Sequence, residues 1–146
     1  MPNLTLRAAR ENGALVEIAI GPSEARARAT EQAGLQAVLP QVIYGLVDTG
    51  SELTIIDEEV ASRLGLIPSG EREIRTPGSG EEVRTLPCFD VRLEFVAPER
   101  HLISNNFRVA GGKLPRRTLG ALIGRDLLAR CLFIYNGPED QFTFSY

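Results

Sequence analysis

A mainly β domain is the fold class this sequence predicts, on three observations. Short stretches rich in valine, isoleucine, leucine and aromatics recur along the chain. Gly, Pro, Asn and Asp punctuate them at close intervals, and helix signals are few and short. With 146 residues, 43% of them apolar and 24% charged, the chain has the size and composition of one soluble globular domain spanning 1–146.

Leu4 to Arg10 and Ala14 to Ile20 flank Asn12-Gly13, a dipeptide suited to a type I′ turn, which predicts an opening β-hairpin. Pro22-Ser23 leads into Glu24 to Ala33, where alanines at 25, 29 and 33 and a closing Gly34 fit a short helix or an ordered loop with a thin apolar face. These first forty residues form an N-terminal hairpin and insert ahead of the 41–146 core. From Gln41, Val42-Ile43-Tyr44-Gly45-Leu46-Val47 is nearly continuous apolar sequence, as expected of a strand covered on both sides. Asp57 is placed to N-cap a helix through Leu64, with Gly65 at its C′ position.

Arg72 to Arg75 and Val83 to Phe95 read as strands on either side of Thr76-Pro77-Gly78-Ser79-Gly80, a turn-rich hairpin tip. Leu102 to Ala110 is a further strand, followed by a loop from Gly111 to Arg117. Leu119 to Ile123 is short and apolar, and Gly124 to Arg130 suits a short helix. Cys131 to Tyr135 and Gln141 to Tyr146 pair around Asn136-Gly137-Pro138.

Several function classes are excluded by composition. The net charge is −3 and the arginines are scattered among acids, so no basic face is set up for nucleic acid. The apolar runs fall well short of the ~20 residues that span a bilayer, and the N-terminus alternates instead of forming a signal-peptide core, so no membrane partner and a cytoplasmic location are expected. Cys88 and Cys131 read as reduced core thiols. His101 is the only histidine and falls in an expected surface turn. Without Cys-x-x-Cys or His-x-x-x-His spacing, neither a metal nor any other cofactor is expected. Gly111-Gly112-Lys113 lacks the upstream glycine and the following Ser or Thr of a phosphate loop.

The chemistry points to Asp48-Thr49-Gly50-Ser51. By itself this is a set of turn-favouring residues, but it stands at the end of an apolar strand that would fix a carboxylate in place. Gly50 permits a sharp turn and Thr49 offers a hydroxyl to brace it. One carboxylate cannot be at once general base towards water and general acid towards the carbonyl or leaving amine. Two held about 3 Å apart share a proton and can do both; aspartic peptidases are the standard example of that coupling. The chain carries one Asp-Thr-Gly, so the second carboxylate must come from elsewhere, and a C2 homodimer supplies an identical one.

Gly45-Leu46-Val47-Asp48-Thr49-Gly50-Ser51, then Leu53-Thr54-Ile55-Ile56, and far downstream Ala121-Leu122-Ile123-Gly124-Arg125-Asp126-Leu127-Leu128, together resemble the retropepsin family of aspartic peptidases over roughly Gln41 to Tyr146. The resemblance implies a closed, barrel-like β fold with one or two short helices, and a homodimer that hydrolyses peptide bonds. Carried over, Asp48 is the catalytic aspartate, with Thr49, Gly50 and Ser51 as its loop. Thr49 braces the dimer axis and Gly50 offers backbone to a peptide. Thr76, Pro77, Gly78, Ser79 and Gly80 match the substrate-covering flap, with an exposed β-turn as the plainer reading. Arg125 is expected to pair with Glu52 and steady the active-site loop. The final strand, Gln141 to Tyr146, could pair with its symmetry mate. The alternative function is a non-catalytic module that keeps this fold for dimerisation or peptide docking.

Overall fold

Strand-forming segments dominate the computed structural model, which describes residues 3–8, 11–75, 82–96 and 100–146. Along the chain these are β1 (Asn3–Arg7), β2 (Leu15–Pro22), α1 (Glu24–Gln32), β3 (Gln41–Val47), β4 (Ile55–Asp57), α2 (Glu58–Arg63) and β5 (Gly70–Arg75). They continue with β6 (Val83–Phe95), β7 (His101–Gly112), β8 (Ala121–Ile123), α3 (Arg125–Leu128), β9 (Leu132–Asn136) and β10 (Gln141–Ser145). The mainly β prediction holds, with three short helices where one or two were expected.

Six of the strands close into a barrel in the order β2-β3-β8-β4-β7-β6, and β2 pairs back onto β6; β5 extends the sheet outward from β6. Closure leaves β2 without a free edge, and its period-2 pattern puts Val16, Ile18 and Ile20 inside. Facing them are Ile43, Ile56, Val91, Leu93, Val109, Ala121 and Ile123, all buried. β8 lies between β3 and β4, parallel to the first and antiparallel to the second. That crossing brings the downstream Ala121-Leu122-Ile123 element alongside the strand that ends at Val47. The approach is close at Gly45, where a Cβ would stand 2.9 Å from Cδ1 of Ile123.

β3 occupies the residues predicted, but it is covered on one side only. Ile43 and Gly45 point inward while Val42 and Tyr44 are half-exposed, so a run that reads as continuously apolar is an alternating strand with apolar residues on its outer face.

The opening hairpin is not formed. Gly13 has the positive φ expected of it, but β1 pairs with β10, Leu4 opposite Phe144 and Leu6 opposite Phe142, while β2 is held between β3 and β6. Barrel closure leaves β2 no edge for β1, and the inward leucines of β1 find aromatic partners on β10 instead. The resulting second sheet, β1-β10-β9, also overturns the expected self-pairing of the last strand, because both edges of β10 are occupied within its own chain.

The two sheets are joined by rings. Phe95 of the barrel lies 5.1 Å from Phe144 and 4.9 Å from Tyr146, and Phe133 of β9 lies 5.1 Å from Phe144, centroid to centroid. Tyr146 is buried enough to push its phenol above the ordinary value, with the Cys131 thiol adding to the effect.

The 24–33 stretch is a helix and not a loop, α2 has the predicted cap and stop, and α3 (Arg125–Leu128) is shorter than the Gly124 to Arg130 expected. Ser23 caps α1 by accepting from Arg26 N at 3.3 Å, and Gly34 follows at φ +68°; no α1 residue is buried. Asp57 caps α2 through Glu59 N at 2.9 Å, and Gly65 follows at φ +59°. The second carboxylate oxygen of Asp57 accepts from Leu114 N at 3.0 Å, tying the 113–120 loop to the helix start. No helix among the described residues is long and apolar enough to cross a membrane.

Phe144→Ala removes the ring shared by both sheets and should cost about 3–5 kcal/mol, read as a fall in the urea midpoint. Asp90 on β6 and Arg108 on β7 face each other across strands at 3.1 Å, and that hydrogen bond holds the Asp90 carboxyl below the ordinary value of 3.8. Because the folded value is the lower one, the pair's stabilisation is complete above about pH 4 and is lost as pH falls through the lowered value. Asp90→Asn should therefore lower the melting temperature near neutral pH and converge with the parent as pH falls through the lowered value.

Candidate active site

β3 delivers Asp48 to the end of the barrel. Val47 N donates to Ala14 O at 2.9 Å and Asp48 N to Ile123 O at 2.9 Å, so the backbone is held on both sides up to the aspartate. The chain then turns. Gly50 N donates to Asp48 Oδ1 at 2.9 Å and Ser51 N to Asp48 O at 3.1 Å, a local turn that orients the carboxylate. Ser51 Oγ donates to Leu53 O at 2.6 Å. Asp48 is half-buried and Thr49 and Gly50 are exposed. Among the described residues, Gly50 N is the one donor to the Asp48 carboxylate.

The segment after β8 clips this loop in place. Arg125 N donates to Ser51 O at 2.9 Å and Asp126 N to Glu52 O at 3.2 Å. Gly124 is obligatory, because a Cβ there would stand 2.3 Å from the carbonyl carbon of Leu53. Gly124 N donates to Thr54 Oγ1 at 3.1 Å.

Thr54 is completely buried, and its N–H and hydroxyl both donate to one carboxylate. Its N lies 2.9 and 3.0 Å from the two oxygens of Asp126, and its hydroxyl donates to Oδ1 at 2.7 Å. Asp126 Oδ1 also accepts from Leu127 N at 2.7 Å, and Thr54 O accepts from Ala110 N at 3.0 Å. Sequence reasoning missed this Thr54–Asp126 lock. The signal was a threonine inside the run Leu53-Thr54-Ile55-Ile56, where a buried hydroxyl demands a partner.

The expected Glu52–Arg125 ion pair is absent. Glu52 reaches Arg72 of β5 at 3.3 Å, and Arg125 Nη1 donates to Thr49 O at 2.9 Å. All of these side chains are exposed, so an ion pair between Glu52 and Arg125 would contribute little. The guanidinium takes the nearer carbonyl, and Glu52 spans to the neighbouring strand. Arg125 still braces the Asp48 loop, through the Thr49 carbonyl.

Thr76, Pro77, Gly78, Ser79 and Gly80 lie outside the described residues; the strands flanking them pair up to Arg75 opposite Val83. His101 is the first residue of β7 instead of a turn residue, partly buried with its ring 5.6 Å from that of Tyr146. Cys88 and Cys131 are free, the first buried and the second half-buried, and burial pushes the Cys131 thiol up. No group of three or more potential metal ligands occurs among the described residues.

A closed barrel whose crossing strands present an Asp-Thr-Gly loop at one end, with one glycine-led helix clipped to it, is the retropepsin fold. Solved structures agree. A retropepsin-like aspartic protease from Rickettsia conorii is similar over 99% of this chain and 91% of its own, with TM-score 0.59 and 15% identity. An aspartic proteinase from Irpex lacteus is similar over 99% of this chain but 47% of its own, with TM-score 0.57 and 11% identity. In sequence, the family model described as aspartyl protease matches residues 41–119, and the chain belongs to that family. No curated protein matches it.

Asp126→Ala would leave Thr54 N and Oγ1 buried without acceptors. It should cost about 2–3 kcal/mol in urea unfolding, and more than Thr54→Val, which removes the hydroxyl while the carboxylate stays.

Proposed function

We propose that the chain is an aspartic endopeptidase that works as a C2 homodimer, with Asp48 from each copy forming the catalytic dyad. The observation that carries this is the Asp48 loop itself: a half-exposed carboxylate at the end of a barrel strand, with one oxygen fixed by Gly50 N. One such group per chain is half of the acid–base machinery. With its symmetry mate at hydrogen-bonding distance, one carboxylate takes a proton from water while the other gives one to the carbonyl or leaving amine of a peptide.

The length relation to the Irpex lacteus aspartic proteinase supports the reading, since this whole chain corresponds to about half of that one and a second copy would supply the remainder. The exposed Thr49 and Gly50 are available, respectively, to a symmetry-related loop and to an extended peptide. Segment 76–80 would be the flap over that peptide; the in-register pairing of β5 with β6, from Gly70 opposite Cys88 to Arg75 opposite Val83, supports its placement at the end of a two-stranded arm. The two free thiols fit a cytoplasmic location.

Asp48→Asn keeps the shape of the side chain and removes its acid–base chemistry. Turnover of an apolar peptide panel should fall roughly a thousandfold or more, with an unchanged far-ultraviolet spectrum. Turnover equal to that of the parent would refute the assignment.

A further inference from the structure

α1 faces a gap instead of a core. Its nine residues bury nothing, although a helix that short is marginal in water without packing. Ser23, Arg26, Ala27 and Thr30, at i, i+3, i+4 and i+7, line a cavity of about 480 Å³, a volume within the rough 300–1,000 Å³ of small-ligand sites. Leu64, Leu66 and Ile67 supply a second wall. Leu35 and Val38, which follow the helix, complete it, and three of these apolar residues are well exposed: Leu35 at 67%, Val38 at 44% and Ile67 at 60%.

Two charged side chains line the cavity, and one of them is already neutralised. Asp90 is held by Arg108 at 3.1 Å. Among the described residues no carboxylate pairs with Arg26, whereas Arg28, outside the cavity, pairs with Glu24. The net charge offered to an occupant is therefore positive, and an anionic group complements it. Main-chain groups are offered as well. Gln36, Ala37, Val38 and Leu39 are exposed and make no backbone hydrogen bond among the described residues, so their N–H and C=O groups stand open beside the apolar side chains. A plain aliphatic acid would use none of these groups. An extended peptide uses them as a strand would.

We propose that this cavity binds the C-terminal end of an extended peptide, with the terminal carboxylate on Arg26 and aliphatic side chains against Leu35, Val38 and Ile67. The peptide main chain bonds to the 36–38 backbone. This is a site apart from Asp48. β2 and β3 run antiparallel with Ile20 opposite Gln41, so the Pro22-Ser23 side of the cavity lies at the start of β3. Asp48 follows the other end of that strand, roughly 20 Å away.

The test is fluorescence anisotropy with a labelled tetrapeptide of alanine and leucine ending in leucine, prepared both as the free acid and as the C-terminal amide. The full chain carries Asp48→Asn throughout, so that no peptide is consumed. The free acid should bind about tenfold more tightly than the amide. Arg26→Gln should bring the acid to the level of the amide and leave the amide unchanged, while Arg28→Gln keeps the preference. Ala27→Trp fills the cavity and should abolish binding of both. Equal binding of acid and amide, or a preference that survives Arg26→Gln, overturns the proposal. So does binding that Ala27→Trp leaves intact, which would place the peptide elsewhere, as in the Asp48 cleft. Octanoate that displaces the peptide with equal or greater affinity also overturns it, since the cavity would then take aliphatic acids without using the 36–38 backbone.

Discussion

The structure of the site depends on one buried interaction, the Asp126 carboxylate closed around Thr54. Three donors from two segments more than seventy residues apart in sequence converge on it, and a fourth hydrogen bond, from Gly124 N, reaches Thr54 itself. A carboxylate with its oxygens so occupied is stable away from water, and an interior threonine is tolerated only because its N and hydroxyl both have partners. The clip on the Asp48 loop lies within this frame: the two backbone bonds from Arg125 and Asp126, the absent side chain of Gly124, and the Arg125 guanidinium on Thr49 O.

The barrel supplies the rest of the rigidity. Closure of β2 onto β6 removes two edges and lets β3, β8 and β4 cross at a single end, where the Asp48 loop emerges. The second sheet is attached by aromatic packing instead of strand pairing, with Phe95, Phe133, Phe144 and Tyr146 filling the space between layers. α1 contributes no buried residue and lies apart from this economy of contacts. The Asp48 loop therefore leaves a strand whose backbone is hydrogen-bonded on both sides, by Val47 N to Ala14 O and by Asp48 N to Ile123 O.

Much of this was legible along the chain. Period-2 and near-continuous apolar runs marked β3, β5, β6, β9 and β10 because strand patterning is local, and Ser23, Gly34, Asp57 and Gly65 marked helix ends because capping is local too. Asp48 and the Ile123-Gly124-Arg125 element were recognisable as types in a known order. What the sequence by itself determined was thus the kind of element at each place and the identity of the chemical group. Only the tertiary structure decided the partners: β1 with β10 instead of β2, Glu52 with Arg72 instead of Arg125, and Thr54 with Asp126. Each of those choices turns on which edge or polar group remains free once the barrel has closed, and that competition exists only in three dimensions.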